Sequence, residues 1–216
     1  MSFDLRTVYH KDRPLSWSAI SAFEWNPSQW YKKYVLGELP EETPELKFGK
    51  MIDQRIQDDP HFLPGLIRGP ILQHEMRTIW KDIPLLGFAD SYWPPSSRTK
   101  GALSVRDYKT GRKEWDQKRA DETGQLTMYL FMLYLMDKSI KVADAELYID
   151  WLPTHIKDGQ IALVEPVKIH TFETRRTMTE ILKFGQRILD VYAKMEEYAS
   201  REVGSVVHTE EEFFGR

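Results

Sequence analysis

The stretch from Leu103 to Tyr129 constrains this chain more than any other. It begins Leu103-Ser104-Val105-Arg106-Asp107-Tyr108-Lys109-Thr110-Gly111. Leu103, Val105, Asp107 and Lys109 recur with period two, so the segment reads as a strand that carries the Asp107 carboxylate and the Lys109 ammonium side by side on one face. Gly111 closes the strand, because glycine tolerates the backbone turns that other residues resist. Charged sequence follows, and an apolar helical stripe begins near Ala120. On that helix Gln125 and Tyr129 stand four apart and project from one face. A carboxylate and a lysine at a strand end, faced by a polar helix stripe, suit metal-assisted chemistry on a phosphate.

Upstream, Leu85-Leu86-Gly87-Phe88-Ala89-Asp90-Ser91-Tyr92 reads as a second strand with Leu86, Phe88 and Asp90 on one face. Asp90 and Asp107 on neighbouring strands can hold one divalent cation between them. Cysteine is absent from all 216 residues. That excludes disulfides, thiolate zinc sites, cysteine nucleophiles and an iron–sulfur cluster held by this chain. The six histidines include no pair at i, i+4. A bound metal would therefore be held mainly by oxygen, which points to magnesium or manganese.

The three segments Gly87-Phe88-Ala89-Asp90, Asp107-Tyr108-Lys109-Thr110-Gly111 and Gln125-x-x-x-Tyr129 together resemble the PD-(D/E)XK nuclease superfamily. The chain looks like its RecB-type branch, which includes the CRISPR-associated RecB-like exonucleases. Two further segments carry the likeness. Leu15-Ser16-x-Ser18-x-Ile20-x-x-Phe23 with Asn26-Pro27-x-x-Trp30-x-x-x-Tyr34 resembles the N-terminal signature of these nucleases. Gly49-x-x-x-Asp53 resembles their first motif, which usually has histidine where this chain has Asp53. In iron–sulfur members a cysteine usually precedes the proline and three more lie near the C-terminus. Here the position is Asn26, and no cysteine follows Arg201.

The resemblance implies a metal-dependent deoxyribonuclease with a restriction-endonuclease-like core. Asp90 and Asp107, the backbone carbonyl of Tyr108 and Asp53 would hold one or two magnesium or manganese ions, with Glu75 an alternative ligand. Lys109 would position or help deprotonate the attacking water and neutralise charge on the phosphate, with the electrostatic role favoured because an ammonium beside two carboxylates stays protonated. Gln125 and Tyr129 would orient Lys109 or touch the phosphate. Arg112, Lys113, Lys118 and Arg119 flank the loop leaving the active-site strand and are the expected DNA contacts. They belong to a basic run from Arg98 to Arg119, which includes Lys100 and Arg106 and holds eight cationic residues against three acidic ones in a chain of net charge −3. Trp17 and Trp25, from an aromatic cluster that otherwise reads as core, are candidates for stacking on unpaired bases.

The expected fold is α/β (α+β), a single domain over 1–216 with a central mixed sheet flanked by helices. Residues 1–60 form an N-terminal helical part behind an extended arm over 1–14, 70–200 form the nuclease core, and 201–216 form a tail. The pattern α–α–β–β–β–α–β–β–α supplies the sheet. It includes strands over 71–83, 85–93, 102–109, 144–152 and 161–169, and helices over 120–138 and from Phe172 to about Arg201. The expected substrate is DNA, as single strands or duplex ends, with a helicase or recombination protein as partner. Alternative readings are an endonuclease on single-stranded DNA or RNA, and a non-catalytic subunit that holds DNA. No apolar run is long enough to cross a membrane and no signal-peptide core is visible, so a cytoplasmic location is expected.

Overall fold

The computed structural model describes residues 3–97 and 101–214, with side chains described as far as residue 203. Arg98 and Lys100 of the basic run lie outside the described residues. The fold is α+β, a mixed seven-stranded sheet flanked by helices. The chain visits two compact units alternately, one of residues 1–40, 77–86 and 182–216 and the other of residues 41–76 and 87–181.

In the first unit the N-terminal segment is a structured turn, not an extended arm. Asp4 caps a 3-10 turn over Leu5–Thr7, and Leu5, Val8 and Tyr9 are buried. The Tyr9 hydroxyl accepts a hydrogen bond from the Trp30 indole at 2.9 Å, so burial of that tyrosine leaves its polar tip satisfied. Strand β1 (Leu15–Ser16) pairs in parallel with Leu85–Leu86. Ser16 then caps helix α1 (Trp17–Trp25) by accepting from the Ala19 N–H. Asn26 ends α1 and caps α2 (Pro27–Trp30), where Pro27 takes a first-turn position that needs no N–H. Trp30 is fully buried, and Trp17 is half-buried with its ring 6.0 Å from Phe184. Those two serve packing, whereas Trp25 is 90% exposed.

The second unit begins with helix α3 (Pro44–Asp58), capped by Thr43. Its Ile52 and Ile56 pack with Leu63, Leu66 and Leu152. Strands β2 (Ile71–Trp80) and β3 (Ile83–Trp93) run through both units and pair as a hairpin. Lys81 and Asp82 between them have φ of 48° and 67°, the two left-handed residues that a tight hairpin turn requires. Strand β4 (Ser104–Gly111) is antiparallel to β3 at its start, from Trp93↔Ser104 to Ser91↔Arg106. It is parallel to β5 (Glu146–Lys157) along its whole length. A parallel pair needs a crossover, here helices α4 (Gln117–Glu122) and α5 (Gly124–Met136). Strands β6 (Gln160–Leu163) and β7 (His170–Thr174) both pair antiparallel with β5, and helix α6 (Met178–Phe214) follows.

Several element boundaries differ from the sequence reading, α6 among them in running to Phe214 where a tail was expected from 201, and three have a local reason. The helix expected over 120–138 is broken at Thr123, whose ψ is 122°. Buried Arg176 holds the break, donating to the Ala120 and Thr123 carbonyls at 3.3 Å and to the Thr127 hydroxyl at 2.8 Å. The strand expected over 161–169 ends at Leu163 and the next strand, β7, begins only at His170, with Pro166 between them offering no N–H to a ladder. The helix expected from Phe172 begins at Met178 because Thr177 and Glu180 form a reciprocal cap. The Thr177 hydroxyl accepts from the Glu180 N–H, and the Glu180 carboxylate accepts from the Thr177 N–H.

Strand β4 is buried on both faces, and its second face changes the reading of the basic run. Arg106 is 6% exposed and donates through Nη1 to both oxygens of Asp150, itself 1% exposed, at 2.8 Å. Thr171 donates to Asp150 at 2.6 Å, and the Arg106 guanidinium lies 4.0 Å over the Tyr148 ring. Arg106 is thus a core residue with its charge already matched, and not a phosphate contact. Removing one member of such a pair strands the other charge, which costs about 3–5 kcal/mol, whereas replacing both by apolar groups is often near neutral. Arg106→Leu should therefore lower unfolding free energy by about that amount in urea titrations. Arg106→Leu with Asp150→Leu should recover most of it. A double variant as unstable as the single one would contradict the pairing.

Candidate active site

Within the second unit, Asp53, Asp90, Asp107, Lys109 and Gln125 line one cleft of about 520 Å³, and Gln73 and Tyr129 are hydrogen-bonded to them. Helix α3 supplies Asp53, β2 supplies Gln73, β3 supplies Asp90, β4 supplies Asp107 and Lys109, and α5 supplies Gln125 and Tyr129. The period-two expectation for β4 holds. Lys109 Nζ stands 2.7 Å from Asp107 Oδ2. Gln125 then ties three neighbours together. Its Oε1 accepts from Lys109 Nζ at 2.8 Å, and its Nε2 donates to Asp107 Oδ1 at 2.8 Å and to the Tyr129 hydroxyl at 2.6 Å. The amide orientation is fixed by that pattern, since only the oxygen can accept from an ammonium.

Close backbone approaches make this possible. A Cβ on Gly87 would lie 3.1 Å from the Tyr129 ring, so glycine in β3 makes room for the tyrosine. A Cβ on Gly49 would lie 3.3 Å from Thr110 Oγ1, so α3 runs close to β4 and carries Asp53, one turn on, to the cleft. The β3–β4 ladder stops at Ser91↔Arg106. Beyond it the Asp90 carboxylate takes the place of a ladder carbonyl, accepting from the Tyr108 N–H at 2.6 Å. Asp90 is thereby locked to the backbone of the strand that carries Asp107.

The carboxylates are short of positive charge. Burial, and then Asp107, push the Asp90 carboxyl well above the usual carboxylate range. Burial also raises Asp107, against the pull of Lys109. Asp53 is raised by burial and by Asp107. Burial pulls Lys109 down, but Asp107 and Asp90 more than restore it, so the lysine is held protonated above its ordinary value. Tyr129 is pushed far up by burial and by Asp107 and stays a neutral phenol.

Two observations bear on whether a cation suits these residues. Asp107 Oδ2 is buried, and the ammonium 2.7 Å from it, Lys109 Nζ, is shared with Gln125 Oε1. The remaining candidates, Asp53 and Asp90, are also hard oxygen donors, the kind that bind magnesium or manganese. Among the described residues no three acidic or histidine side chains converge as a ready-made cage. The donor chemistry fits a divalent ion, with the carboxylates spread along one wall.

Gln73 was not legible in the sequence. Its Nε2 donates to Asp53 Oδ1 at 2.9 Å and to Asp90 Oδ1 at 3.1 Å, bridging two of the expected ligands. Strand periodicity marks Gln73 and Glu75 alike, but Gln73 has φ 48°, and no pattern of residue types reveals a left-handed residue inside a strand. Glu75, the alternative ligand, is exposed. The basic residues are partly engaged elsewhere. Arg112 pairs with Glu45 at 3.2 Å and Lys118 with Glu122 at 3.9 Å. Arg119 donates to the Lys113 and Glu114 carbonyls and lies 3.9 Å over the Trp115 ring. Lys113 is exposed. Exposed ion pairs are weak, so Arg112 and Lys118 can exchange partners.

No family model and no curated protein matches this sequence. Among solved structures, a candidate exonuclease from Eubacterium rectale aligns with a TM-score of 0.53 at 12% identity, covering 90% of this chain and 88% of its own. The protein SSO0001 aligns with a TM-score of 0.43 at 12% identity, covering 86% of this chain and 78% of its own. The first likeness shows a shared fold, and the second adds no argument.

The raised Asp90 carboxyl makes stability pH-dependent in a definite direction. A carboxyl that binds its proton more tightly folded than unfolded makes the native state lose stability as pH rises from the unfolded value to the folded one. Below the unfolded value the penalty is absent. Each tenfold difference in proton affinity between the two states is worth ~1.4 kcal/mol. In EDTA, Asp90→Asn should therefore stabilise the protein at pH 8 by ~1–3 kcal/mol. That gain should vanish near pH 4. Denaturation of both proteins across this range is the check, and a gain independent of pH would contradict the electrostatic account.

Proposed function

We propose that this protein is a divalent-metal-dependent nuclease that hydrolyses phosphodiester bonds in DNA and works from DNA ends. The observation that carries the reading is the joining of Asp107, Lys109, Gln125 and Tyr129 in one hydrogen-bonded network beside Asp90 and Asp53. These are the positions at which the chain resembles RecB-type nucleases, and all but Tyr129, which is bonded to Gln125 behind them, line one cleft. The shared fold with the Eubacterium rectale protein, itself described as a candidate exonuclease, supports the same reading.

Asp90 and Asp107 would hold magnesium or manganese, with Asp53 and the Tyr108 carbonyl as further ligands. The bound ion supplies a water of lowered pKa and charge to offset that developing on the phosphate. Lys109 is held protonated, so it serves as a donor and not as the base. Its ammonium faces the non-bridging oxygen as negative charge grows there. Gln125 fixes that ammonium by accepting from it while donating to Asp107, and Tyr129 supports the amide from the next turn. With Arg106 buried in its own pair, the described cationic side chains that remain for DNA beside the site include Lys50, which lines the cleft, and Arg112, Lys113 and Lys118, with Arg119 tied to its loop. Few phosphate contacts mean weak affinity for intact duplex, which favours frayed ends and single strands.

The test is cleavage of linear and covalently closed DNA, single-stranded and duplex, in low salt with magnesium. Linear single strands should be degraded fastest and closed circles spared. Asp107→Ala should abolish cleavage, and Lys109→Ala should lower the rate about a hundredfold or more while leaving metal affinity within a few-fold. Full cleavage by Asp107→Ala would overturn the site. Equal rates on circular and linear single strands would overturn the dependence on ends, and cleavage confined to RNA would overturn the substrate.

A further inference from the structure

We propose that Gln73 is itself a ligand for the divalent cation, and that its amide turns over when the ion binds. The proposal rests on the nuclease reading above for the ion's presence, but Gln73 is assigned on geometry alone. Its Nε2 lies 2.9 Å from Asp53 Oδ1 and 3.1 Å from Asp90 Oδ1. Neighbouring oxygens around an octahedral magnesium ion, each bonded at ~2.1 Å and at right angles, stand ~3 Å apart. The terminal amide atom of Gln73 therefore already sits at ligand-to-ligand spacing from two carboxylate oxygens.

The atom at that vertex donates to both carboxylates. With two ionisable carboxyl groups in front of it, the amide presents N–H. A divalent ion repels N–H and attracts the carbonyl end, and the two ends of a glutamine amide have nearly the same shape. The last side-chain torsion is broad and two-fold, so a half-turn exchanges Nε2 for Oε1 at little cost. After that turn, Oε1 stands beside both Asp53 Oδ1 and Asp90 Oδ1 as a further oxygen donor. Meanwhile Asp53 Oδ2 keeps its bond from Gln57 and Asp90 Oδ2 its bond from the Tyr108 N–H, so both carboxylates stay aimed.

The backbone gives a second, independent reason. Gln73 has φ 48° within strand β2. That region is uncommon for a residue with a Cβ, and such outliers persist where the surroundings over-determine them, often at ligand sites. A regular strand would give the side chain a different direction, and the left-handed residue is what brings the amide between Asp53 and Asp90.

Manganese binding measured by titration calorimetry at pH 8 on the full chain tests this, with folding checked by circular dichroism. Gln73→Met keeps the length and removes both amide atoms, and should weaken manganese at least tenfold. Gln73→Glu offers an oxygen in either orientation and should bind manganese as tightly as the natural protein or more so. Gln73→Met binding within twofold of the natural protein would overturn the proposal and leave the nuclease reading standing. Tighter binding by Gln73→Met would show the amide to be only a plug and overturn it too. If Gln73→Met fails to fold, Gln73→Glu decides, and a tenfold loss there would refute the oxygen's role. Absence of manganese binding by the natural protein would defeat both readings together.

Discussion

Asp107 is 1% exposed, and the cleft it lines also holds the carboxyl groups of Glu45, Asp53 and Asp90 and the ammonium groups of Lys50 and Lys109. Removing a charge from water is costly unless an opposite charge and hydrogen bonds replace the solvent. Lys109 and the Gln125 amide meet that need in part. Lys109 alone cannot neutralise Asp53, Asp90 and Asp107, and burial first, then the Asp107 charge, holds Asp90 and Asp53 closer to their protonated forms. Gln73 places a neutral donor between them where a cation would do more. The whole cleft is built around a deficit of positive charge.

The fold in this region holds that deficit in place. A parallel β4–β5 pair demands a crossover, and the crossover returns as α5 with Gln125 in its first turn. Arg176 pins the junction of α4 and α5 through the carbonyls on either side of the break, so the residue that orients Lys109 stands on a fixed helix end. The early end of the β3–β4 ladder frees the Tyr108 N–H, and Asp90 takes it. Arg106 and Asp150 anchor the opposite face of β4 with a matched pair. One strand therefore carries a compensated charge pair on one face and an uncompensated set on the other.

Much of this was legible in the sequence because short-range periods dictate it. Alternation along β4 placed Asp107 with Lys109, spacing of four placed Gln125 with Tyr129, and Asn26-Pro27 marked the break between α1 and α2. What could not be read depends on contacts distant in sequence. Arg106 sits in a basic run and looks like its neighbours until Asp150, 44 residues away, is seen to face it. The helix break at Thr123 depends on Arg176, and the N-terminal turn depends on the burial of Leu5, Val8 and Tyr9. Gln73 depends on a single left-handed backbone angle. Local patterns record faces and turns, whereas partners across the sheet leave no local trace.

If the cleft lacks a divalent cation's worth of positive charge, thermal unfolding with and without manganese shows it most directly. A ligand that binds only the native state stabilises it by about 2.7 kcal/mol at a hundred times its dissociation constant, which in a chain of this size shifts the midpoint by roughly 5–10 °C. A rise of that order is expected at pH 8. It should be lost at pH 4, where the carboxyl groups hold their protons, and absent in Asp107→Ala. A midpoint unmoved by manganese at pH 8, or moved equally in Asp107→Ala, would contradict the charge deficit.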